Sequence, residues 1–234
     1  MKLLALDTST DACSVALSIE GEIRFNHQVV SQQHGVQLLP MVDALMSEAG
    51  LGPAQLDALI YGCGPGSFTG VRIGVAAAQG IALGAGIGVV GVSTLQSIAQ
   101  GCYREHADKC VAVSVDARMD EVYYCEFELA ANGLMQAICD EQIVAPEKIG
   151  CQVDGVWAGS GAERYSDILQ QTFSVERSRI RQSCLVQAID LLSIGSVSVE
   201  HGKVQAAEFA TPVYLRNKVA LTIAERKMAR SQVV

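Results

Sequence analysis

The sequence lacks a basic stripe, and this absence argues against a protein that binds nucleic acid on its own. Acidic side chains outnumber basic ones by 25 to 17, which gives a formal net charge of −8. Proteins that bind nucleic acid on their own usually carry a basic stripe that displaces counterions from phosphates. The densest basic stretch fits a solvated helix face at least as well as a contact with RNA, and it consists of Arg216, Lys218, Arg226, Lys227 and Arg230. We therefore expect no autonomous binding of nucleic acid.

Cysteine and histidine are present, but they lack the spacings that bind metals. The eight cysteines include no C-x-x-C pair, and most lie in apolar runs, where a free thiol behaves as a small hydrophobic side chain. No two of the four histidines share a short ligand spacing, and they are His27, His34, His106 and His201. These patterns predict reduced thiols, no metal and no cofactor, as expected of a cytoplasmic protein.

Targeting and membrane-spanning patterns are also missing from the sequence. The N-terminal run from Met1 reaches Asp7 too early for a signal peptide. Polar residues interrupt the long apolar runs, and the longest of them is rich in glycine. The sequence therefore predicts no leader peptide and no membrane span.

Apolar periodicity predicts an α/β protein. The first half alternates as three strands, a helix over 31–49, a strand, a helix over 71–86, a strand and a helix. In the second half we predict strands over 109–115, 122–129, 134–144 and 155–159, and helices over 163–171 and 183–198. Alternation of strands and helices after an opening set of hairpins favours sheets that are covered by helices.

A faint internal repeat divides the chain into two lobes. Leu6-Asp7 with Asp11 recurs, at a constant offset, as Val115-Asp116 with Asp120, and strands follow in both places. Two strands joined by an acid-bearing turn, once in each lobe, are typical of actin-like, sugar-kinase-like (ASKHA) folds, in which each lobe is a mixed sheet flanked by helices. We predict an N-terminal lobe over 1–106 and a C-terminal lobe over 107–234, whose last helix is a candidate to pack back on the first lobe.

A glycine-rich motif over 64–74, Gly-Pro-Gly-Ser-Phe-Thr-Gly-Val-Arg-Ile-Gly, joins a buried strand to an apolar helix. Such a turn can present backbone N–H groups to a phosphate. It can equally be a tight turn whose glycines let a strand and a helix pack closely. The motif is neither G-x-G-x-x-G nor the Walker sequence with its lysine, so both interpretations stay open.

Candidates for chemistry are few. Asp7 and Asp116 are acids at strand ends, where they could hold magnesium or activate an acceptor across a nucleotide cleft, with Ser9 as a further nucleotide-binding candidate. Alternatively, each acid caps its own turn through an Asx-type hydrogen bond. A serine hydrolase has no support, because the sequence has no G-x-S-x-G elbow and Ser67 fits a helix cap better.

The helix after the glycine motif is apolar on nearly all sides, and this favours a partner. Its small residues fall on two faces, as expected where backbones pack closely on a sheet and on another helix. We predict that this helix and the preceding one form an interface with another chain, through Leu38, Met41, Leu45, Gly70, Arg72, Gly74 and Ala78. The alternative is that both helices are buried within this chain.

Four stretches together resemble one known family. They are Leu4 to Leu17, Gly64 to Gly74, Asp116 to Tyr123 (Asp-Ala-Arg-Met-Asp-Glu-Val-Tyr) and Pro212 to Arg216 (Pro-Val-Tyr-Leu-Arg). Their order and spacing are similar to those of the TsaB (YeaZ) family, over nearly the full length. The resemblance implies the actin-like two-lobed fold and a cytoplasmic protein required for threonylcarbamoylation of adenosine 37 of tRNA, at N6.

The resemblance also implies a role beside catalysis. The paralogous transferase TsaD binds a metal through two histidines, and Thr94 and Ile98 stand where those ligands would be. The implied partners are a TsaD-type transferase in a heterodimer and a TsaE-type ATPase, with a homodimer in isolation and tRNA reached only through the complex. A glycopeptidase-like hydrolase and a nucleotide-binding sensor of the same superfamily are the alternatives.

Overall fold

The computed structural model describes residues 1–30 and 32–216, and its first half builds one five-stranded sheet. The strands are β1 (Lys2–Asp7), β2 (Ala12–Ile19), β3 (Glu22–Val29), β4 (Ala58–Gly64) and β5 (Gly88–Ser93). Their order is β3-β2-β1-β4-β5; the first three are antiparallel neighbours, and β4 and β5 run parallel to β1. The helices of this half are α1 (His34–Glu48), α2 (Phe68–Ala85) and α3 (Thr94–His106).

The second half repeats the plan with strands of three to nine residues. Its strands are β6 (Cys110–Arg118), β7 (Glu121–Leu129), β8 (Met135–Ala137), β9 (Gln142–Val144) and β10 (Val156–Ala158). They are ordered β10-β6-β7-β8, and β9 also pairs with β7. The helices are α4 (Ser160–Arg164), α5 (Ser166–Phe173) and α6 (Ala188–Glu200). Two mixed sheets flanked by helices confirm the predicted α/β fold class.

The helices form layers on and between the sheets. α1 and α2 cover the outer face of the first sheet, and α4 and α5 cover the outer face of the second. α3 and α6 lie between the sheets in one shared core. α3 belongs to the first half yet packs on β6, β7 and β8, whereas α6 belongs to the second half yet packs on β1, β2 and β5. Each half of the chain therefore supplies a helix that packs on the sheet of the other half. The lobe boundary between residues 106 and 107 stays a prediction.

Three predicted elements differ from the structure. The strand over 134–144 is two short strands, β8 and β9, which pair with different stretches of β7; between them the Glu141 carboxylate accepts from the Ser93 hydroxyl. The helix over 163–171 is split into α4 and α5 at Tyr165, whose backbone leaves the helical region. The helix over 183–198 begins only at Ala188, since Gln187 is extended.

The remaining differences concern ends of elements. α1 begins at His34 rather than Ser31, and Ser31 lies outside the described residues. α1 contains Pro40 within its length. The predicted last helix, with Lys218, Arg226, Lys227 and Arg230, also lies outside the described residues, so its packing on the first lobe is not tested.

Helix α2 is long and apolar enough to cross a membrane, judged by length and composition only. A core helix that packs on a sheet meets the same criterion, and α2 packs on β4, β1 and α1. Its polar residues are satisfied within the chain, since Arg72 donates to the Phe68 carbonyl oxygen and Gln79 to that of Glu208. These contacts favour the role of a core helix.

Candidate functional site

A cavity of about 920 Å³ opens between the two acid-bearing turns. Its size is that of a small-molecule site. Both lobes and the C-terminal motif contribute to its wall, which includes Ser9 to Asp11, Gly66 to Thr69, Arg72, Val115 to Met119, Ser160, Cys184, Leu185 and Tyr214 to Arg216. The two predicted turns therefore do face each other across one space.

The first acid, Asp7, lies beneath the wall of this cavity and not on it. The side chain is 1% exposed, and its Oδ1 accepts hydrogen bonds from the backbone N–H (2.8 Å) and hydroxyl (2.9 Å) of Ser9. Among the residues that the structure describes, Oδ2 has no hydrogen-bond partner, and it lies against Gly62, where an added Cβ would stand 1.8 Å from it. Burial raises the pKa of the Asp7 carboxyl to about 6, although both Ser9 hydrogen bonds act to lower it.

The second acid, Asp116, does line the cavity, but it is already engaged. One oxygen accepts from the Arg118 backbone N–H at 3.0 Å, and the other lies 2.8 Å from the Arg164 guanidinium and 3.2 Å from that of Arg118. Its own N–H donates to the Ser160 hydroxyl. The Asx-type hydrogen bond to Arg118 is thus present, together with two ion pairs. A metal or an acceptor hydroxyl would have to displace an arginine to reach this carboxylate.

The glycine motif packs against the first turn through its backbone. An added Cβ would lie 2.5 Å from the Ser9 carbonyl oxygen at Gly66 and 2.0 Å from the Thr8 carbonyl oxygen at Gly70. The Ser67 N–H donates to the Ser9 carbonyl oxygen (2.8 Å), and the Thr8 hydroxyl donates to the Gly70 carbonyl oxygen (2.7 Å). Ser67 also caps α2, as predicted, by accepting from the Gly70 N–H. The close-packing interpretation therefore accounts for the two inner glycines, because the turn of β1 and β2 occupies the space that a phosphate would need.

The C-terminal motif connects the two lobes across the cavity. Val213 donates its N–H to the Cys63 carbonyl oxygen in the first sheet (2.8 Å). Arg216 donates to the Ala117 and Arg118 carbonyl oxygens of the second turn and pairs with Glu121 at 2.8 Å. The sequence indicated this motif only through the family resemblance, because no periodicity or spacing shows that a segment crosses a cleft. We call this segment, Pro212 to Arg216, the strap.

The backbone of the second acid-bearing turn, which follows β6, is strained where the strap contacts it. Arg118, Met119 and Asp120 have φ values of 63°, 57° and 56°, in the left-handed region that favours glycine. Their side chains are exposed, and two of them border the cavity. The Arg216 hydrogen bonds to the carbonyl oxygens just before and within the turn stabilise this conformation.

Comparison with known proteins decides the family. The family model TsaD, described as tRNA N6-adenosine threonylcarbamoyltransferase, matches residues 25–220. The tRNA threonylcarbamoyladenosine biosynthesis protein TsaB of Escherichia coli K12 is 40% identical over 94% of this chain and 96% of that protein. The TsaB protein of Haemophilus influenzae is 35% identical over 94% of this chain and 95% of that protein. The chain belongs to the TsaB family.

A solved structure agrees with the TsaB assignment and with the fold. The structure titled "YeaZ from Pseudomonas aeruginosa" superimposes with a TM-score of 0.84 at 40% sequence identity. It covers 92% of this chain and 99% of that one. The resemblance noted from the four sequence stretches is therefore confirmed, and with it the ASKHA-type, two-lobed architecture.

The two positions that the sequence resemblance aligned with the TsaD metal ligands are buried in this TsaB-family chain. Thr94 is 0% exposed at the start of α3, and its hydroxyl has no hydrogen-bond partner within the described part of the chain. Ile98, one turn later, is 2% exposed and packs in the core between the sheets. Within residues 1–30 and 32–216, no group of three or more histidine, cysteine, aspartate or glutamate side chains could hold a metal.

The structure buries most of the predicted interface residues of this TsaB-family protein within the chain itself. Leu38, Met41, Leu45 and Ala78 are at most 5% exposed and pack on the first sheet, and Gly70 and Gly74 are also buried, against the Thr8 turn. Arg72 alone of the seven is partly accessible. The small residues of α2 that pack on its own sheet have the same four-residue step as residues that would pack on a partner, so this spacing fits both interpretations. The interface itself is not tested by this burial.

The outer sides of the same helices offer other residues to a partner. Val36 and Leu39 on α1 are 73% and 55% exposed, and Phe68 and Leu83 on α2 are 62% and 56% exposed. We call these four residues the outer α1/α2 face. Beside it, the Arg72 guanidinium lies over the Phe68 ring at 3.4 Å and the Tyr214 ring at 4.8 Å. These large apolar side chains lie on two helices that contact each other.

Proposed function

We propose that this chain is the TsaB-type subunit for threonylcarbamoylation of adenosine 37 of tRNA, acting beside a TsaD-type transferase. The observation that carries the proposal is the similarity to curated TsaB proteins, at 40% identity over 94% of the chain. The match is to TsaB over nearly the whole of both proteins, so both lobes and the strap between them belong to the assignment. A tRNA-modifying role implies the cytoplasm, where tRNA is.

We further propose that the chain has no transferase activity of its own. Support comes from the two acids that could have acted, because Asp7 is covered and Asp116 is bound by two arginines. Thr94 and Ile98 offer a hydroxyl and an alkyl group in place of imidazole ligands. Transfer of the threonylcarbamoyl group would then take place on the partner.

The test is reconstitution from purified components. Full-length chain, a TsaD-type transferase, a TsaE-type ATPase, a source of threonylcarbamoyl-adenylate and unmodified tRNA are combined, and modified adenosine is measured by mass spectrometry. We expect no product from this chain alone and loss of product when it is omitted. Undiminished modification without it would refute the proposal, and product from this chain alone would refute its lack of catalysis.

The outer α1/α2 face is the surface we propose for the transferase, and for self-association when the transferase is absent. Burying a large apolar side chain contributes about 1.5–3 kcal/mol, so one charge placed there should weaken an association strongly. Leu39→Glu should reduce binding of the transferase at least tenfold in titration calorimetry and shift the isolated chain towards monomer in light scattering. Phe25→Glu is the matched control, because Phe25 is 53% exposed on β3, outside this face. Equal behaviour of both variants would rule this surface out.

A nucleotide-binding sensor is the second candidate, favoured by the cavity of about 920 Å³ between the turns. Arg72, Arg118 and Arg216 border it and could attract phosphate groups. Titration calorimetry with ATP and ADP tests this candidate in the isolated chain. Heat that saturates in wild type and is lost in Arg118→Ala would support it, whereas no heat at millimolar nucleotide would refute it.

A further inference from the structure

Two cysteines far apart in the chain meet between the sheets. Cys102 lies on α3, is 2% exposed, and belongs to the core shared by both lobes. Cys184 lies in the segment before α6 and is partly exposed. The sulfur atoms are 3.8 Å apart, although 82 residues separate them in sequence. Both thiols are free.

The two thiols differ in acidity: Cys184 has the lower pKa, as the attacking thiol requires, and Cys102 has the higher pKa, as suits the thiol that attacks second. The Cys102 S–H donates to the Cys184 sulfur, and this hydrogen bond, with one from the Gly159 backbone, lowers the pKa of Cys184. The same hydrogen bond and burial raise the pKa of Cys102. Because the thiolate is the reactive form, oxidants should attack Cys184 first.

A small oxidant can reach this sulfur. Cys184 and the neighbouring Leu185 form part of the wall of the cavity between the turns. Behind them is a second cavity of about 20 Å³, bordered by Cys102, Cys184 and Glu105. A space of that size holds about one water molecule. The pair is therefore approached from the open cavity, while Cys102 stays in the core.

We propose that Cys102 and Cys184 are an oxidisable dithiol, in which a peroxide converts the pair into a disulfide that joins α3 to the segment before α6. In the first step the Cys184 thiolate attacks one peroxide oxygen, the O–O bond breaks, and hydroxide leaves, so that a sulfenic acid is formed. In the second step the Cys102 sulfur attacks the Cys184 sulfur, the S–O bond breaks, and water leaves with the Cys102 proton. Two thiols lose two electrons in total, and one hydrogen peroxide becomes two water molecules.

The consequence concerns the cavity wall. The disulfide would fix Cys184, and with it Leu185, to a helix that packs on β6, β7 and β8. The segment 181–187 would then lose the freedom to move relative to α3. Oxidation at this pair therefore acts on the same cleft that the two turns and the C-terminal motif enclose.

A second cysteine pair serves as an internal control. Cys125 and Cys139 have their sulfur atoms 3.9 Å apart, nearly the same distance. Cys125 is fully buried, and burial is the main cause that raises its pKa; the Cys139 sulfur accepts from the Glu126 N–H. Neither thiol borders the cavity between the turns. If the distance between the sulfur atoms alone controlled oxidation, both pairs would oxidise equally. The mechanism proposed above predicts that Cys102 and Cys184 oxidise first.

The experiment exposes the full chain to increasing hydrogen peroxide, blocks the remaining thiols after denaturation, and maps disulfides by mass spectrometry. We expect the free thiols to fall from eight to six, with the peptide that joins Cys102 to Cys184 as the first product, reversed by dithiothreitol. Modification of Cys184 should be at least tenfold faster than that of Cys139. A first product at any other cysteine, or equal rates at the two pairs, would overturn the proposal.

Variants separate the two steps. Cys184→Ser should keep all seven remaining thiols under the same peroxide, and it leaves a partly exposed position with little to lose in packing. Cys102→Ala should stop at the sulfenic acid of Cys184, which a dimedone probe labels. Cys139→Ser is the control and should form the disulfide as wild type does. If Cys184→Ser loses thiols as fast as wild type, the assignment is wrong even if Cys102→Ala fails to fold.

Discussion

Replacing Asp7 with asparagine should make the stability of this fold less dependent on pH. The carboxyl is buried, its Oδ2 has no hydrogen-bond partner in residues 1–30 and 32–216, and burial raises its pKa from 3.8 to about 6. In the unfolded chain the group ionises at its ordinary pKa, so between the two values the unfolded state releases a proton that the folded state keeps. Stability therefore falls as pH rises through this range, and the loss is complete above the folded pKa.

The size of the effect follows from the difference between the two pKa values. A raised pKa of this amount corresponds to about 3 kcal/mol, of which about 2.5 kcal/mol develops between pH 4 and pH 8. The asparagine oxygen can still accept from Ser9, and any penalty for its unpaired amide does not vary with pH. The free energy of unfolding of Asp7→Asn minus that of wild type should therefore rise by about 2.5 kcal/mol from pH 4 to pH 8.

Urea unfolding followed by circular dichroism at pH 4, 5, 6, 7 and 8 measures this difference, because all other titrating groups are common to both proteins. Asp43→Asn is the control, since Asp43 is exposed on α1 and has no burial to relieve. A difference that is flat over this pH range would refute the reasoning. So would a difference of the opposite sign, which would mean that the folded state prefers the ionised carboxylate.

Two further pairs of substitutions, each a test and its control, probe a close backbone approach and a buried ion pair. Gly70→Ala should destabilise the fold by about 1–3 kcal/mol, because its Cβ would lie 2.0 Å from a backbone carbonyl oxygen, whereas Gly84→Ala, with no atom within 4 Å, should stabilise it by about 0.5–1 kcal/mol. Thermal unfolding of the two variants measures this, and equal shifts would contradict the close approach. Arg104→Ala should cost about 3 kcal/mol, because it removes both hydrogen bonds (2.8 and 2.9 Å) to the buried Asp190 of α6. Arg24→Ala, which breaks an exposed pair, should stay within about 1 kcal/mol of wild type in the same urea assay, and similar losses would show that burial is not the cause.

Much of the fold could be predicted because local patterns are strong in this chain. The strands from β1 to β7 and the helices α1 to α3 appear where periodicity indicated them, within a few residues at each end. Local pattern failed where tertiary contacts set the backbone, as at β8 and β9, which pair with two different stretches of β7. It failed again at the start of α6, because residues 183–187 are apolar enough for a helix, yet Ser183 has a φ of 55° and Gln187 is extended.

The sequence predicted which two turns form the candidate site, but it did not predict whether their carboxylates are free. That Asp7 and Asp116 end equivalent strands was visible in the repeat, and the structure does bring their turns to one cavity. Whether each carboxylate is free could not be known from the sequence, because the partners of Asp116 include Arg164, which lies 48 residues further along. The sequence also could not show that Oδ2 of Asp7 is covered, because Gly62 of the neighbouring strand β4 covers it.

By itself the sequence determined the class, the order of elements and the family, since these depend on composition, on periodicity and on motifs that are contiguous in the chain. Only the tertiary structure decided which side of α1 and α2 is available, because one spacing of small and apolar residues serves a sheet and a partner equally well. Only the structure brought Cys102 to Cys184, because α3 and α6 each cross to the other half. Contacts between residues far apart in sequence carry no local signal, and in this protein they raise the pKa of Asp7, give Asp116 its arginine partners and bring the two thiols close together.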